Sequence, residues 1–497
     1  MIQGFNPRTG KPAGQPVAET SGAEVDAAVA AASAALPAWA GGSDTGRARA
    51  LDAVAGALDA RAGELVPLAD EETALGETRL AGEVARTTGQ LRLFAGVLRD
   101  GSYHGAAASP AAGGIAEIRR ISHPVGPVAV FAASNFPFAF SVAGGDTASA
   151  LAAGCPVIVK AHEGHPGTSA ATARIVAGAL AGAGAPAGTF GLVHGVDAGL
   201  RLLTHPAISA AGFTGSTRGG LELARICAGR DVPIPFYGEL GAVNPVVVLP
   251  GAAARDPAGI ASGYAGSLTL GAGQFCTNPG LLFVPDDEMA LPAAIADAVG
   301  ASSGGPMLSG RIYQGYEAAL AEVEAHPAVT AVAAGTTGEG PWGATPRLFS
   351  TTLKEFAADL AVLARERFGP AGLMISYPSP DDLLPVLAAL EGNLVGSVHG
   401  DADSAADLAA ARRVIAVFER TVGRIVWNGW PIGVAVNAAQ HHGGPWPATT
   451  VPAYTSVGSA AIRRWLVPVA YQNMPAGLLP PGLAAPAAQA GLAGLAG

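Results

Sequence analysis

The strongest constraint on the fold of this chain is an alternation of short apolar runs and helical stretches that begins near residue 114. Apolar runs of this kind are typical of strands in a parallel sheet that helices cover on both faces. Two series follow each other, so the sequence predicts two α/β domains in tandem. The first series is Val128–Ala132, Val157–Val159, Thr189–Val193, Ile208–Phe213 and Val246–Leu249, and the second is Gly280–Val284, Val329–Ala334, Ala371–Tyr377, Val395–His399 and Gly423–Trp427.

The first hundred residues are helical in pattern instead. Ser21 stands three residues before Glu24, the spacing of a capping box, and this predicts a helix over Val25–Leu36 that Pro37 ends. At the other end of the chain, the segment Ala476–Gly497 carries no charge and is interrupted by prolines and glycines. We therefore expect a flexible tail there.

Composition and charge exclude several classes of protein. With 49% hydrophobic and 14% charged residues the chain is not intrinsically disordered. It has 29 basic against 39 acidic residues and no basic stripe, so we expect no nucleic-acid partner. Neither a signal peptide nor a membrane span is visible. Three widely spaced cysteines indicate a reducing, cytoplasmic location and offer no metal-ligand spacing.

Two residues could carry covalent or acid–base chemistry. Cys276 lies in a glycine-rich polar turn, Gly271–Gly280, where a thiol can be accessible. A lone cysteine is more often a small buried hydrophobe, which is our interpretation of Cys155 and Cys227. Glu239 stands between two glycines after an apolar segment. It is either part of a surface turn or a general base at the edge of a sheet.

Asn135 follows the first predicted strand directly. The carboxyl ends of strands are where open α/β sheets bind ligands, and its amide could donate to an oxyanion, although an Asx turn is the simpler interpretation. The segment Glu366–Pro370 precedes another predicted strand and by itself indicates only a turn.

Two further segments could bind a nucleotide. Gly215, Ser216 and Gly220 lie where a strand passes into a helix, which places backbone amides and a hydroxyl at a helix N-terminus suited to phosphate. The segment has neither GxGxxG nor a Walker lysine, so alone it is a weak signal. Lys160 and Glu163 end another strand, where they are either ribose partners or solvated side chains.

Taken together and in this order, these six motifs resemble those of the aldehyde dehydrogenase superfamily, from about Asn6 to Pro475. The resemblance implies an α/β fold with a Rossmann-like cofactor domain at 1–101 and 124–240 and an α/β catalytic domain at 241–455. It also implies a small β oligomerisation element at 102–123 and 456–497, the latter including the tail, and hence a homodimer or homotetramer.

The resemblance also implies a role for each residue. Cys276 would be the nucleophile, Asn135 and the Cys276 backbone amide the oxyanion hole, and Glu239 the base that hydrolyses a thioester. No metal would take part. The implied cofactor contacts are Lys160 and Glu163 with the adenine ribose, Gly215, Ser216 and Gly220 with the pyrophosphate, and Glu366 and Phe368 around the nicotinamide ribose.

Further segments, among them Thr88–Arg92 and Gln440–Thr450, resemble a branch with 2,5-dioxovalerate (α-ketoglutaric semialdehyde) dehydrogenases and a fatty-aldehyde dehydrogenase. This implies oxidation of 2,5-dioxopentanoate to 2-oxoglutarate, with a broad-range or fatty aldehyde as the alternative. Arg92 is a candidate for the substrate carboxylate, although an exposed helical arginine is the simpler interpretation. Phe136 is a second candidate substrate contact.

The cofactor would be NAD or NADP. A carboxylate at Glu163 accepts a hydrogen bond from a free ribose 2′-hydroxyl and repels a 2′-phosphate, which favours NAD. A function of another class is also open, namely a cofactor-independent cysteine hydrolase or acyltransferase. Such an enzyme would use Cys276 with a histidine base, for which His441 and His442 are the candidates.

Overall fold

The computed structural model describes residues 1–287 and 290–483. Its α-helices are α1 (Gly22–Ala40), α2 (Asp44–Ala60), α3 (Ala62–Thr73), α4 (Glu77–Asp100), α5 (Gly145–Ala153), α6 (Pro166–Gly182), α7 (Val196–Thr204), α8 (Thr217–Ala228), α9 (Pro250–Arg255), α10 (Pro257–Thr269), α11 (Ala290–Gly300), α12 (Gly310–Glu324), α13 (Leu353–Ala358), α14 (Leu360–Leu363), α15 (Pro380–Ala389) and α16 (Ala405–Thr421). Its strands are β1 (Ile2–Phe5), β2 (Pro12–Val17), β3 (Ala107–Ser109), β4 (Ile118–Pro124), β5 (Val128–Phe131), β6 (Val157–Lys160), β7 (Phe190–Val193), β8 (Ala210–Thr214), β9 (Phe236–Glu239), β10 (Val246–Val248), β11 (Leu281–Pro285), β12 (Thr330–Ala334), β13 (Arg347–Thr352), β14 (Ala371–Tyr377), β15 (Asn393–His399), β16 (Val422–Trp427) and β17 (Leu466–Gln472).

A five-stranded sheet has the order β7-β6-β5-β8-β9, and all of its strands run parallel. Strands β5 and β6 are buried along their whole length, as expected for a sheet covered on both faces. The sequence analysis did not predict β9, because Gly238 and Glu239 interrupt its apolar pattern. The carboxyl ends of β5, β8 and β9 therefore share one edge of the sheet.

A seven-stranded sheet has the order β12-β13-β14-β11-β10-β15-β16. Only β12 pairs antiparallel, at one edge. Every apolar run of the second predicted series forms a strand, and Val246–Leu249 of the first series joins this sheet as β10. The sequence analysis missed β13, which begins with Arg347 and ends in threonines and so lacks a continuous apolar run. The predicted α/β class with parallel sheets is confirmed.

Two small antiparallel sheets complete the fold. Strands β1 and β2 form a hairpin, and β17, β4 and β3 form a three-stranded sheet in that order. The latter brings strands from the segments near 107–124 and 466–472 together. Its edge strand β17 leaves Val467 45% and Val469 40% exposed.

Helix α1 begins as predicted and ends later than predicted. Both hydrogen bonds of the Ser21–Glu24 capping box are present. The prediction that Pro37 ends the helix is wrong, since the helix continues to Ala40. A proline removes only one backbone donor, and Trp39 fixes the last turn because its ring is buried and its Nε1 donates to the Leu151 carbonyl at 3.2 Å.

Within the described residues, the helices are all too short or too polar to cross a bilayer. The predicted tail falls only partly inside these residues. Ala476–Leu478 and Pro481–Leu483 each form a single 3₁₀ turn, and the remainder from 484 lies outside them.

Candidate active site

The candidate site lies where the five-stranded sheet faces the loop that leads into the seven-stranded one. Glu239 is the last residue of β9, and Asn135 follows β5. Cys276 lies between α10 and β11. An isolated bridge between Glu239 and Thr449 brings the C-terminal segment beside the end of β9. The three predicted catalytic residues thus come from three separate parts of the chain.

The backbone of the Cys276 loop is fixed by glycine geometry and by two asparagines. Gly273 has φ +68° and lies so close to Gly369 that a Cβ would approach its carbonyl carbon to 2.2 Å, so only glycine fits there. Asn278 Nδ2 donates to the Gly273 carbonyl at 2.7 Å. Asn244 Nδ2 donates to the Cys276 carbonyl at 2.8 Å. These contacts hold the thiol in one position.

Glu239 and Cys276 form one cluster with His442. His442 Nε2 lies 2.9 Å from Glu239 Oε1 and 3.8 Å from the Cys276 Sγ. Ser456 Oγ donates to Glu239 Oε2 at 2.6 Å. Glu239 and His442 are buried, so the surface-turn interpretation of Glu239 is wrong. The donor atoms of the three residues lie within 4.8 Å of one another, a set that could also ligate a metal ion, so metal-free catalysis remains a prediction.

The charges of this cluster keep the thiol protonated at rest. Burial, together with the carboxylates of Glu239 and Glu366, raises the pKa of Cys276 well above its usual value. For Glu239, burial favours a higher pKa, but hydrogen bonds and charge from His442 and Ser456 outweigh it and lower the pKa. An ionised carboxylate therefore stands beside a neutral thiol, which is the arrangement of a base poised to accept its proton.

Asn135 points towards the same loop. Its Nδ2 donates to the Gln274 carbonyl at 3.0 Å, two residues before the nucleophile candidate. On its other side, Arg79 donates from Nη2 to the Asn135 carbonyl at 2.7 Å. The Arg79 guanidinium also stacks on the rings of Phe136 and Phe275, at 5.2 and 4.9 Å from their centroids. Phe136 thus belongs to an aromatic wall that holds the asparagine segment.

The residues expected at the pyrophosphate surround the start of α8. Ser216 is the N-cap, and its side chain accepts from the Gly219 amide. A Cβ on Gly220 would lie 2.1 Å from Leu240 Cδ2, so this helix approaches β9 through glycine. The free amides of the first turn are therefore close to the strand end that carries Glu239, as a phosphate site requires.

The other cofactor candidates lie in two places. Lys160 ends β6, and its Nζ forms an ion pair with Glu163. Burial favours a higher pKa for Glu163, but the Lys160 ammonium outweighs it and lowers the pKa, so Glu163 is a carboxylate. Glu366 and Phe368 line a small cavity with Phe275. Burial raises the pKa of Glu366 to about 7.

Arg92 does not contact this site in the part of the chain that the structure describes. Its Nη2 donates to Asp59 at 2.6 Å, and its side chain is 49% exposed. The sequence analysis missed Glu83 and Arg86, which lie on α4 with Arg79. Charged residues spaced four and three apart between buried apolar positions would have been the signal. Ser456 was also missed, because no pattern in the sequence indicates that it lies beside Glu239.

A family profile and individual relatives of this chain agree with one another. The profile of the aldehyde dehydrogenase family matches residues 1–445. Alpha-ketoglutaric semialdehyde dehydrogenase 2 of Azospirillum brasilense is 46% identical over 79% of this chain and 76% of its own length. Alpha-ketoglutaric semialdehyde dehydrogenase of Acinetobacter baylyi is 39% identical over 79% of this chain and 75% of its own.

Solved structures share the fold. A mutant of aldehyde dehydrogenase C from Pseudomonas syringae, complexed with NAD⁺ and octanal, has a TM-score of 0.79 at 25% identity, over 95% of this chain and 93% of that one. A 1-pyrroline-5-carboxylate dehydrogenase from Thermus with bound NAD has a TM-score of 0.82 at 22% identity, over 95% and 90% of the two chains.

Proposed function

Because this chain belongs to the aldehyde dehydrogenase family, we propose that it oxidises 2,5-dioxopentanoate to 2-oxoglutarate, with NAD(P)⁺ as the electron acceptor. The observation that carries the proposal is the cluster of Cys276, His442 and Glu239 facing Asn135. The relatives from Azospirillum brasilense and Acinetobacter baylyi, which carry the name of this activity, support the choice of substrate.

The first step is activation of the nucleophile. The Glu239 carboxylate takes the proton of the Cys276 thiol, and His442 and Ser456 keep donating to its two oxygens while it does so. The thiolate then adds to the aldehyde carbonyl and gives a thiohemiacetal. A base network that is already assembled reduces the reorganisation needed at this moment.

The second step needs a donor for the new oxyanion. Asn135 has two amide protons and donates one of them to Gln274, so the other is free to turn towards the carbonyl oxygen that Cys276 attacks. When bound, NAD(P)⁺ supplies the acceptor for the hydride that leaves the thiohemiacetal carbon. A thioester on the Cys276 sulfur is the product of this step.

The third step releases the acid. After the proton that Glu239 took from Cys276 has passed to solvent, the carboxylate takes a proton from a water molecule, which attacks the thioester carbonyl and releases the Cys276 sulfur as a thiolate. The buried position of the carboxylate, at 3% exposure, keeps bulk water away from the earlier intermediate. The cysteine hydrolase alternative is less well supported, because His442 Nε2 is directed to Glu239 and so is not a free base.

The chain offers a set of residues that fits a nicotinamide dinucleotide. Gly220 lets α8 pack closely against Leu240, and the exposed Gly215 and Ser216 at the start of the helix would hold the pyrophosphate. Glu366 and Phe368 would contact the nicotinamide ribose, and Lys160 and Glu163 the adenine ribose. Because Glu163 is ionised, we propose a preference for NAD over NADP.

The preference for NAD can be tested at one residue. Glu163→Thr should raise the ratio of NADP to NAD catalytic efficiency by roughly tenfold or more, since it removes a charge that would repel the 2′-phosphate. Steady-state kinetics with both cofactors measure this ratio. Glu163→Gln, which removes the charge and keeps an acceptor, should give an intermediate ratio. An unchanged ratio in both variants would show that Glu163 does not select the cofactor.

The substrate is tested with a panel of aldehydes and both cofactors. We expect kcat/KM for 2,5-dioxopentanoate to exceed that for pentanal and octanal by at least about tenfold, which corresponds to roughly 1.4 kcal/mol of transition-state binding. Cys276→Ala, which lacks the nucleophile, is the control for background reduction. A preference for octanal would favour a fatty-aldehyde dehydrogenase, and no cofactor reduction with any aldehyde would favour a hydrolase.

We also propose a homodimer or homotetramer that assembles through the three-stranded sheet. The exposed Val467 and Val469 on its edge strand support this, since such an edge is a template for another chain. Three free cysteines support a reducing, cytoplasmic location, which would keep Cys276 as a thiol.

A further inference from the structure

Two partly buried arginines near the thiol have no role in the steps described above. Arg86 comes from helix α4, and Arg424 comes from strand β16. They belong to different parts of the chain and converge on one segment, Pro431–Val434. Arg86 Nη1 donates to the Val434 carbonyl at 2.6 Å, and Arg424 Nη1 donates to the adjacent Gly433 carbonyl at 2.7 Å.

Both guanidinium groups are held in place by further contacts. Arg424 Nη2 also donates to the Pro431 carbonyl. Arg86 lies over the ring of Phe140, 5.7 Å from its centroid, and the same ring contacts His442 at 6.4 Å. Rigid side chains of this kind lose little entropy when they bind a ligand.

Contacts link both arginines to the surroundings of Cys276. Arg424 and Val426 project from the same face of β16, because they are two residues apart on a strand. Val426 and Cys276 pack against one small apolar cluster. Arg86 is linked to the thiol through Phe140, whose ring centroid lies 6.4 Å from that of His442, and His442 Nε2 lies 3.8 Å from the Cys276 sulfur. Charge from this side can therefore reach a molecule attached to the thiol.

Each arginine retains an unused donor. The Nε atoms of Arg86 and Arg424 are buried and have no hydrogen-bond partner. The nearest carboxylate on α4 is that of Glu83, whose Oε1 accepts from the amides of Phe138 and Ala139 at 2.8 and 3.0 Å, and whose Oε2 has no hydrogen-bond partner, so it forms no hydrogen bond with either arginine. Burial lowers the pKa of both arginines, which indicates that the fold holds these cations without full compensation. A partly buried cation with an unpartnered donor favours an anionic ligand.

We propose that Arg86 and Arg424 bind the carboxylate and the adjoining 2-oxo group of the substrate while its aldehyde carbon reaches Cys276. This inference rests on the proposed function and names the residues that would determine its specificity. It assigns the substrate class as short aldehydes that carry a carboxylate at the far end. The half-exposed Arg92, paired with Asp59, would then have no part in substrate binding.

The proposal is tested by comparing two five-carbon aldehydes, 2,5-dioxopentanoate and uncharged pentanal. Arg86→Gln and Arg424→Gln should each lower kcat/KM for 2,5-dioxopentanoate by roughly 10- to 100-fold, mainly through KM, as expected for a lost charged hydrogen bond. The value for pentanal should change by less than about threefold. Arg86→Lys should recover part of the loss, because it restores the charge without the planar fork.

A binding measurement makes the test independent of turnover. 2-Oxoglutarate should raise the thermal unfolding temperature of the wild type and have a much smaller effect on either glutamine variant. Arg99→Gln is the matched control, since Arg99 lies on the same helix but is exposed and paired with Asp52. It should behave as the wild type in both measurements.

The outcomes separate the two proposals. If the wild type oxidises pentanal as efficiently as 2,5-dioxopentanoate, the substrate assignment fails and the inference fails with it. If the wild type prefers 2,5-dioxopentanoate but the arginine variants lose both substrates equally, only the inference is overturned. A selective loss in Arg92→Gln, with none in Arg86→Gln, would also overturn it and return the role to Arg92.

Discussion

The Glu239 carboxylate accepts hydrogen bonds from side chains that are distant from it in the sequence. His442 and Ser456 donate to its oxygens, and the Cys276 thiol lies within the same cluster. The carboxylate has two opposing effects on the thiol. It is the acceptor for the thiol proton, and its charge also makes the resulting thiolate less stable.

This opposition predicts a change in the pH dependence of alkylation. Removing the charge with Glu239→Gln should move the midpoint for iodoacetamide labelling of Cys276 to lower pH, because the raised pKa of the thiol falls. Mass spectrometry can follow the labelling of Cys276 separately from that of the other two thiols. Those thiols are also kept protonated, because burial raises the pKa of Cys155 to about 12 and that of Cys227 to about 11.

The control for this experiment is Glu163→Gln, which removes a carboxylate at the cofactor candidates instead. It should leave the labelling midpoint of Cys276 unchanged. A midpoint in Glu239→Gln that stays in place or moves to higher pH would contradict the electrostatic role of Glu239.

The sequence indicates functional candidates where a local pattern marks them, but it does not indicate residues that only the fold brings together. Cys276 and Asn135 could be selected as candidates because glycine-rich turns and strand ends are visible in the sequence. His442 was considered only as the base of a hydrolase, since nothing in the sequence places it beside Glu239. Arg92 was selected from a branch segment, but the fold pairs it with Asp59, whereas Arg86 on the same helix lies over the ring of Phe140.

At the scale of elements, helix α8 and strand β9 are packed unusually closely. The contact is made at Gly220, where a Cβ would come within 2.1 Å of Leu240 Cδ2. Leu240 directly follows Glu239, so the same contact positions the proposed phosphate amides and the base. In the sequence, Gly220 indicates only a phosphate-binding turn and not this close contact.

Gly220→Ala should therefore affect both cofactor binding and stability. We expect a loss of roughly 1–3 kcal/mol in the free energy of unfolding from overpacking, together with weaker NAD binding. Thermal unfolding and calorimetric titration with NAD measure the two effects.

Gly178→Ala in helix α6 is the matched control, since a Cβ there meets no atom within 4 Å. It should stabilise the protein by up to about 1 kcal/mol, because alanine favours a helix interior more than glycine does. Equal behaviour of the two variants would show that the α8–β9 contact is not tight.

The boundaries of elements were harder to predict than their existence. The predicted helix Val25–Leu36 is observed as Gly22–Ala40, which is longer at both ends. Strands β9 and β13 were missed because each is held in place by pairing with a neighbour, not by its own apolar run. Tertiary pairing of this kind is not visible in a local window of sequence.

At the scale of the whole molecule, the three-stranded sheet presents an open edge. Within the described residues, strand β17 pairs with β4 on one side only, and one face of the strand carries the exposed Val467 and Val469. An edge strand with exposed valines is unusual in a monomer unless something covers or blocks it. This is the surface through which we propose that copies of the chain associate.

Val469→Arg should shift the protein towards the monomer, because the arginine would place a charge in the contact between copies. Light scattering coupled to size-exclusion chromatography measures the mass, and we expect a dimer or tetramer for the wild type. Val232→Arg is the control, since Val232 is 72% exposed in a loop away from this sheet. A monomeric wild type, or an equal effect of the control, would refute this assembly.

The assembly of the site from distant segments also has a consequence for synthesis. Glu239 and Cys276 emerge from the ribosome long before His442 and Ser456, which complete the network around the carboxylate. A nascent chain therefore carries its sulfur without the hydrogen bonds that prepare the base to deprotonate it. The hydrogen bonds that orient the Glu239 carboxylate are therefore complete only after Ser456 has been synthesised and has packed against it.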